Sequence, residues 1–129
     1  MYLNNFSYEQ KLAFLAIAVK IINADGILDR REQQTIDTMR IEMGLLAEAK
    51  LPNGPLEQIV SVFDTRRNRI YAFIEWIALA YADEKFSGEE QKLLRAIALQ
   101  FNLDEKEASA IETWVNDYKT LLKDVERFI

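Results

Sequence analysis

The sequence predicts an all-α fold, and three observations lead to this prediction. Apolar residues recur at steps of three and four along almost the whole chain, which is the period of an α-helix. Glycine and proline are scarce, with four and two among 129 residues, whereas an all-β fold needs many tight turns. Half of the residues are hydrophobic, and the length suits one domain. We therefore predict a compact bundle of about seven helices that occupies residues 1–129 as a single domain.

The first two helices are marked by capping residues. Ser7 followed by Gln10 is a capping-box pattern, in which each side chain accepts the backbone N–H of the other residue. This helix runs to about residue 24. Asp29 with Glu32 three residues later predicts the start of a second helix. Gly44 ends the second helix, because glycine readily adopts the left-handed conformation that closes many helices.

The middle of the chain holds a short connection and the most apolar helix. We predict a short helix over residues 45–50 and a turn at residues 52–55, where Pro-Asn-Gly-Pro is the strongest turn signal. A helix with proline in its first turn follows. The next helix begins at Asp64 or Thr65. Because it is apolar on nearly every side over residues 70–80, we expect it to be the central buried helix.

Two more helices complete the chain. Ser87 caps one that ends near Phe101, and Asp104 with Glu107 in capping-box position opens a long last helix. The apolar side chains of this last helix predict a wide core-facing surface. If part of that face stays exposed, it becomes a docking surface for a protein partner or for a second copy. The apolar side chains of the last helix form a stripe at steps of three and four, with Ala108, Ile111, Val115, Tyr118, Leu122, Val125 and Ile129. A second row at steps of seven holds Trp114, Leu121 and Phe128.

The chain has no cysteine and no histidine, and this excludes several classes of site. Disulfides, thiol chemistry and cysteine-ligated zinc are impossible, and so are Ser-His-Asp and Cys-His mechanisms. No nucleophile–base pair can be assembled, so we expect no enzymatic activity. A metal site would have oxygen ligands alone, which suits Ca²⁺, Mg²⁺ or Mn²⁺.

Charge and hydropathy predict a soluble cytoplasmic protein. The net charge of −5, with acidic and basic residues mixed, disfavours binding to nucleic acid or to an anionic membrane. Arg66, Arg67 and Arg69 form the one basic cluster, which is either solvated and balanced by Asp64 or a contact for a phosphate or an acidic partner. The N-terminus shows no signal-peptide pattern. No apolar run reaches about 18 residues, so we expect no membrane insertion.

Residues 24–32 match residues 82–90 when the sequence is shifted by 58 positions. The shared pattern is Ala-Asp, two variable residues, an apolar residue, Asp or Ser, two variable residues and Glu. Apolar positions in the flanking helices match at the same shift. We therefore predict two helix-turn-helix repeats, over about 12–45 and 70–103, that are related by pseudo-two-fold symmetry.

This pair of acidic turns resembles the tellurite-resistance TerB-like family, whose pattern is Ala-Asp-Gly, a short apolar turn, Ser or Asp, and Glu three residues further on. The resemblance covers essentially the whole chain. It implies an all-α domain of about seven helices, a role linked to stress and tellurite resistance, and a metal ion held by acids from both turns. The second turn departs from the pattern, with Glu84 where glycine is usual. Carried over by position, the metal-site residues are Asp25, Asp29, Glu32, Asp83, Ser87 and Glu90.

Helix capping is a second explanation for four of these six residues. Asp29 and Ser87 are predicted N-caps, the Glu three residues after each completes a capping box, and each cap contributes about 1 kcal/mol. Asp25 and Asp83 instead follow the C-terminal ends of helices, where a carboxylate opposes the helix dipole. An Asx-type turn or a bound cation would each compensate for that charge.

Two function hypotheses follow. The first is a cation-binding or sensing module built on the acidic turns. The second is a helical protein–protein interaction or homo-oligomerisation module in which the acids are structural caps. EF-hand loops are excluded, because Ile36 and Leu94 occupy the twelfth positions, where such a loop needs a bidentate Glu.

Overall fold

A computed structural model describes residues 2–24, 29–82 and 88–129. Within these ranges all regular structure is helical, and no strand occurs. Six α-helices are present: α1 (Tyr8–Ile22), α2 (Arg30–Glu42), α3 (Leu56–Val60), α4 (Arg66–Ala82), α5 (Gly88–Gln100) and α6 (Glu105–Asp124). Two short 3₁₀ helices, Leu3–Asn5 and Val125–Phe128, lie near the two ends of the chain. The predicted all-α class is confirmed.

The predicted count of about seven helices was too high, because residues 45–50 form a turn rather than a helix. The backbone N–H of Ala49 donates to the Leu46 carbonyl over 3.1 Å and closes a single turn. The guanidinium of Arg40 donates to the carbonyls of Leu46 and Ala49, over 3.0 and 3.4 Å, and so ties this turn to α2. Pro52 also disfavours a helical conformation at the residue before it.

The predicted starts of α1, α2 and α6 are confirmed by their capping hydrogen bonds. Both bonds of the capping box are formed at Ser7 and at Asp29. At α6 the Asp104 carboxylate accepts the Glu107 N–H over 2.7 Å. For α4 the sequence left two candidates, and the structure selects Thr65, whose hydroxyl accepts the Asn68 N–H over 3.1 Å. The predicted cap Ser87 lies outside the described residues.

Helices α2 and α5 end in the same way. Gly44 and Asn102 follow them with positive φ angles of 69° and 56°. The next residue in each case, Leu45 or Leu103, donates its N–H to the carbonyl five residues earlier, over 2.8 and 2.9 Å. This is the Schellman arrangement, in which a buried apolar residue follows the left-handed position.

Helix α4 packs against α1, α5 and α6, and its position confirms the predicted central helix. Trp76 on α4 is fully buried and stacks on Phe14 of α1, with ring centroids 5.4 Å apart. Its indole N–H donates to the Phe14 carbonyl over 3.2 Å. Phe63 and Phe101 pack against the same indole at 5.6 and 6.0 Å. These aromatic rings form the centre of the core.

The bounds of the helices repeat at the offset of 58 residues seen in the sequence. Helix α2 covers residues 30–42 and α5 covers residues 88–100, while α1 and α4 begin at residues 8 and 66. The N-caps Ser7 and Thr65 are also 58 residues apart. No helix in the described part of the chain is both long and apolar enough to cross a membrane.

Candidate functional site

Three of the six predicted metal-site residues lie in the described residues: Asp29, Glu32 and Glu90. The other three, Asp25, Asp83 and Ser87, lie outside them. Asp29 and Glu32 form the capping box of α2, in which the Glu32 N–H donates to Asp29 over 2.8 Å and the Asp29 N–H donates to Glu32 over 3.4 Å. Each carboxylate thus gives one oxygen to a backbone amide, as helix capping predicts.

Glu90 stands in the first turn of α5, at the position that Glu32 occupies in α2. Its surroundings differ from those of Glu32. Glu90 is only 7% exposed, whereas Glu32 is partly accessible to solvent. Glu90 is engaged in an interaction, as a buried carboxylate must be.

The described half of the acidic set does not form a metal site on its own. Among the described residues, no three acidic side chains lie close enough together to hold a metal ion. A hard cation such as Ca²⁺ needs about six to eight oxygen ligands, some from water. The donor chemistry suits such a cation, and Asp25, Asp83 and Ser87 would have to complete its coordination.

The second candidate site is the C-terminal end of α6. The predicted core-facing stripe is correct for the first half of this helix, where Val115 is buried and Ile111 packs against the core. It was wrong for the second half, because every residue from 119 to 129 is exposed. We call residues 119–129 the C-terminal segment. Its exposed large side chains are Leu121 (64%), Leu122 (55%), Val125 (49%), Phe128 (80%) and Ile129 (98%).

The change in burial occurs where α6 passes the end of α4. The ammonium group of Lys119 donates to the carbonyl of Tyr81, one residue before α4 ends at Ala82. Beyond Lys119, α6 continues to Asp124 and a 3₁₀ turn follows. The C-terminal segment is therefore helical, although it does not pack against the helices that cover the first half of α6.

A groove lies between α4, α5 and the first half of α6, with a cavity of about 620 Å³. We call it the α4–α5–α6 groove. Its volume lies in the range of about 300–1,000 Å³ that is typical of binding sites. Its lining is apolar on the floor, with Phe73, Ile77, Leu94, Ala98, Leu103 and Ala108, and mainly polar around the rim, with Tyr81, Gln91, Arg95, Leu99, Asp104, Glu105 and Glu112.

Sequence reasoning did not find this groove, because three helices that are distant in the sequence build it. One signal in the sequence points to it. Leu99 lies outside the buried stripe of α5 and is 76% exposed at the edge of the groove. Single exposed apolar residues are common on protein surfaces, so this signal gains meaning only from the groove beside Leu99.

A hydrogen-bonded pair closes one end of the groove. The Tyr81 hydroxyl donates to the Glu112 carboxylate. Burial, followed by the hydrogen bond and the negative charge of Glu112, raises the pKa of Tyr81 to about 12. The phenol therefore stays protonated at neutral pH and acts as a hydrogen-bond donor rather than as a base.

Two of the three arginines in the predicted basic cluster have partners within the molecule. Arg66 forms an ion pair with Glu107. Arg69 donates to the Phe63 carbonyl over 2.7 Å and lies over the Phe101 ring at 6.0 Å. These contacts join the start of α4 to its neighbours, and they account for Arg66 and Arg69 without a phosphate or an acidic partner.

No protein-family model, curated protein or solved structure matches the chain. The resemblance to the TerB-like family therefore depends on the acidic turns and the helices around them.

Proposed function

We propose that this protein is a helical protein–protein interaction module whose docking element is the C-terminal segment. The observation that carries the proposal is the exposure of residues 119–129, which are helical and bear large apolar side chains on one face. A short helix without packing is marginally stable in water. A partner surface that covers its apolar face would supply the missing stabilisation.

The apolar side chains of the segment lie close enough together to form one surface. Leu122, Val125 and Ile129 follow at steps of three and four, and Leu121 and Phe128 flank them one turn apart from Val125. Together the five expose on the order of 600 Å², if one large side chain has about 150–250 Å² of surface. The largest apolar patch on a typical monomer covers about 300–600 Å² and is often functional.

The charge of the segment favours an apolar protein surface as its partner. Lys119, Lys123 and Arg127 stand beside Asp124 and Glu126, so residues 119–129 have a net charge of +1, three cations less two acids. Nucleic acid and anionic membranes select strongly basic segments, whereas this segment has an excess of only one positive charge. An apolar face with balanced flanks is typical of an amphipathic helix that lies in a hydrophobic groove of a protein.

Photo-crosslinking tests this proposal. A benzophenone amino acid replaces Phe128 on the apolar face, and in a matched control it replaces Thr120, which lies on the polar side of the same segment. We expect a defined crosslink to one protein, which includes a second copy of this chain, from position 128 and none from position 120. Equal crosslinking from both positions, or none from position 128, would contradict the proposal.

We also propose that the two acidic turns form a duplicated element of the TerB-like kind that binds a divalent cation in a cytoplasmic binding or sensing role. The supporting observation is the offset of 58 residues, which relates the bounds of α2 and α5, the Schellman ends of both helices and the N-caps of α1 and α4. The same offset relates Glu32 to Glu90. With oxygen ligands alone, Ca²⁺, Mg²⁺ and Mn²⁺ are the ions to test.

Calorimetry and thermal unfolding with each of these ions test the cation proposal. Binding heat and a rise in Tm are expected for the wild type and not for the combined Asp25→Asn and Asp83→Asn variant. Asp117→Asn, which changes an exposed acid on α6, is the control and should bind as the wild type does. The proposal fails if the wild type gives neither heat nor a Tm shift at millimolar ion.

A further inference from the structure

We infer that the C-terminal segment docks in the α4–α5–α6 groove of a second copy of this chain, so that two copies exchange their segments reciprocally. The inference rests on the docking role proposed for the segment and names its partner. It joins two surfaces that the fold leaves uncovered among the described residues: an exposed apolar helix and an open apolar groove.

Lys119 contacts the Tyr81 carbonyl at the end of the groove, but the apolar side chains of the segment, from Leu121 onward, cannot reach the groove of their own molecule. The groove is lined by three residues in the first half of α6, Glu105, Ala108 and Glu112. The segment continues the same helix away from the groove. The helix rises about 1.5 Å per residue, so Leu122 lies about 20 Å along the axis from Ala108. Because α6 is continuous to Asp124, the segment that fills the groove must come from another molecule.

A two-fold symmetric dimer would cover the segment and the groove of both copies at once. When two copies of α6 run antiparallel, the second half of each helix lies beside the first half of the other. Each segment then meets the groove that the start of the partner's α6 helps to line. A contact of this kind closes into a dimer, because every segment has a groove and every groove has a segment.

The chemistry of the two surfaces is complementary. The floor of the groove is apolar and the segment offers Leu122, Val125 and Phe128. The rim of the groove carries Asp104, Glu105 and Glu112 against one cation, Arg95, whereas the segment carries Lys119, Lys123 and Arg127. Arg95 can form ion pairs with Asp124 and Glu126, the acids of the segment. The charged rim residues sum to −2, three acids less one cation, and the segment sums to +1, so a groove attracts a segment whereas two segments repel each other.

The area is sufficient for a stable dimer. Two segments of about 600 Å² each, with the linings of the two grooves, would together bury on the order of 1,600 Å², and stable interfaces bury about 1,200–2,000 Å² in total. The exchange would also cover Leu99, whose side chain is 76% exposed at the edge of the groove.

Sedimentation analysis over a range of concentrations tests the inference with one variant of each surface. Leu122→Asp alters the segment and Leu99→Asp alters the groove. We expect a wild-type dimer and a rise in the Kd of about thirtyfold or more for each variant, as for loss of a central interface residue. Ile41→Asp is the matched control, because Ile41 is 79% exposed at the position of α2 that Leu99 occupies in α5. Thr120→Asp is the control on the polar face of the segment.

Mixing the two variants distinguishes an exchange from other dimers. The Leu122→Asp chain keeps an intact groove and the Leu99→Asp chain keeps an intact segment, so an equal mixture should form a heterodimer through one intact contact. A dimer that pairs segment with segment would gain nothing from mixing. The inference is overturned if the wild type is monomeric at every concentration, if Leu99→Asp behaves as Ile41→Asp does, or if mixing restores no dimer.

These outcomes are separate from failure of the proposed function. If crosslinks from position 128 reach a different protein and the isolated chain is monomeric, the exchange is wrong and the interaction module stands. If position 128 gives no crosslink, the proposed function fails as well.

Discussion

The two tryptophans of the chain occupy opposite environments. Trp76 is fully buried at the centre of the core, and Trp114 is 44% exposed on α6, where it stacks on Tyr118 at 5.6 Å. Both lie on apolar helical stripes in the sequence. Their contributions to stability differ because burial, and not residue type, sets the cost of removing a side chain.

We predict that Trp76→Ala lowers the free energy of unfolding by about 3–5 kcal/mol, because it leaves a large cavity among Phe14, Phe63 and Phe101. Trp114→Ala makes the same chemical change at the surface and should cost less than about 1 kcal/mol. Urea unfolding at low protein concentration measures both. Equal losses for the two variants would show that the core is not centred on Trp76.

The raised pKa of Tyr81 predicts a loss of stability at alkaline pH. The pKa of its phenol is about 12 in the folded state against 10.0 for an unperturbed tyrosine. Between these values the unfolded chain releases the proton that the folded chain retains, so stability is complete below about pH 10 and falls as the pH rises towards 12. Unfolding measurements across this range should show a smaller fall for Tyr81→Phe. Tyr8→Phe, which changes an exposed tyrosine, should leave the fall unchanged.

At the scale of elements, the helix ends are set by interactions within a few residues. Capping hydrogen bonds start α1, α2, α4 and α6, and a left-handed residue ends α2 and α5. These features were predictable from the sequence because the donor, the acceptor and the turn all lie within one helical turn. The conformation of residues 45–50 was not predictable in this way, since it also involves hydrogen bonds from Arg40 of α2 to the Leu46 and Ala49 carbonyls.

Two glycine substitutions should have opposite signs. Gly44→Ala places a side chain at a φ of 69° and should lower stability by about 1 kcal/mol, although no atom lies within 4 Å of the added Cβ. Gly88→Ala at the start of α5 meets open space without a positive φ and should raise stability by about 0.5 kcal/mol. Thermal unfolding of the two variants measures the difference. A loss at Gly88 would contradict this account.

At the scale of the whole molecule, α6 has two roles along its length. Its first half packs against α4, and its second half extends beyond the end of α4 and is exposed. A helix that extends beyond its own bundle gains little from intramolecular packing. Under the proposed docking role, its apolar side chains contribute to association rather than to folding.

A variant that ends at Tyr118 tests this division. At low protein concentration its free energy of unfolding should lie within about 1 kcal/mol of the wild-type value, because residues 119–129 bury no large side chain. If two copies exchange their segments as inferred, this variant should be monomeric at every concentration. A stability loss of several kcal/mol in the monomer would show that the segment belongs to the core.

The sequence by itself determined the helical class, most helix ends and the kinds of side chain available to any binding site. The helical period and the caps are local, and a chain without cysteine or histidine limits any metal site to oxygen ligands. Only the tertiary structure decided which half of the last apolar stripe is buried, why Glu90 is buried while Glu32 is accessible, and where the α4–α5–α6 groove opens. The physical reason is that burial depends on where neighbouring helices end. Residues 111 and 125 have equivalent patterns in the sequence, but α4 reaches only the first of them.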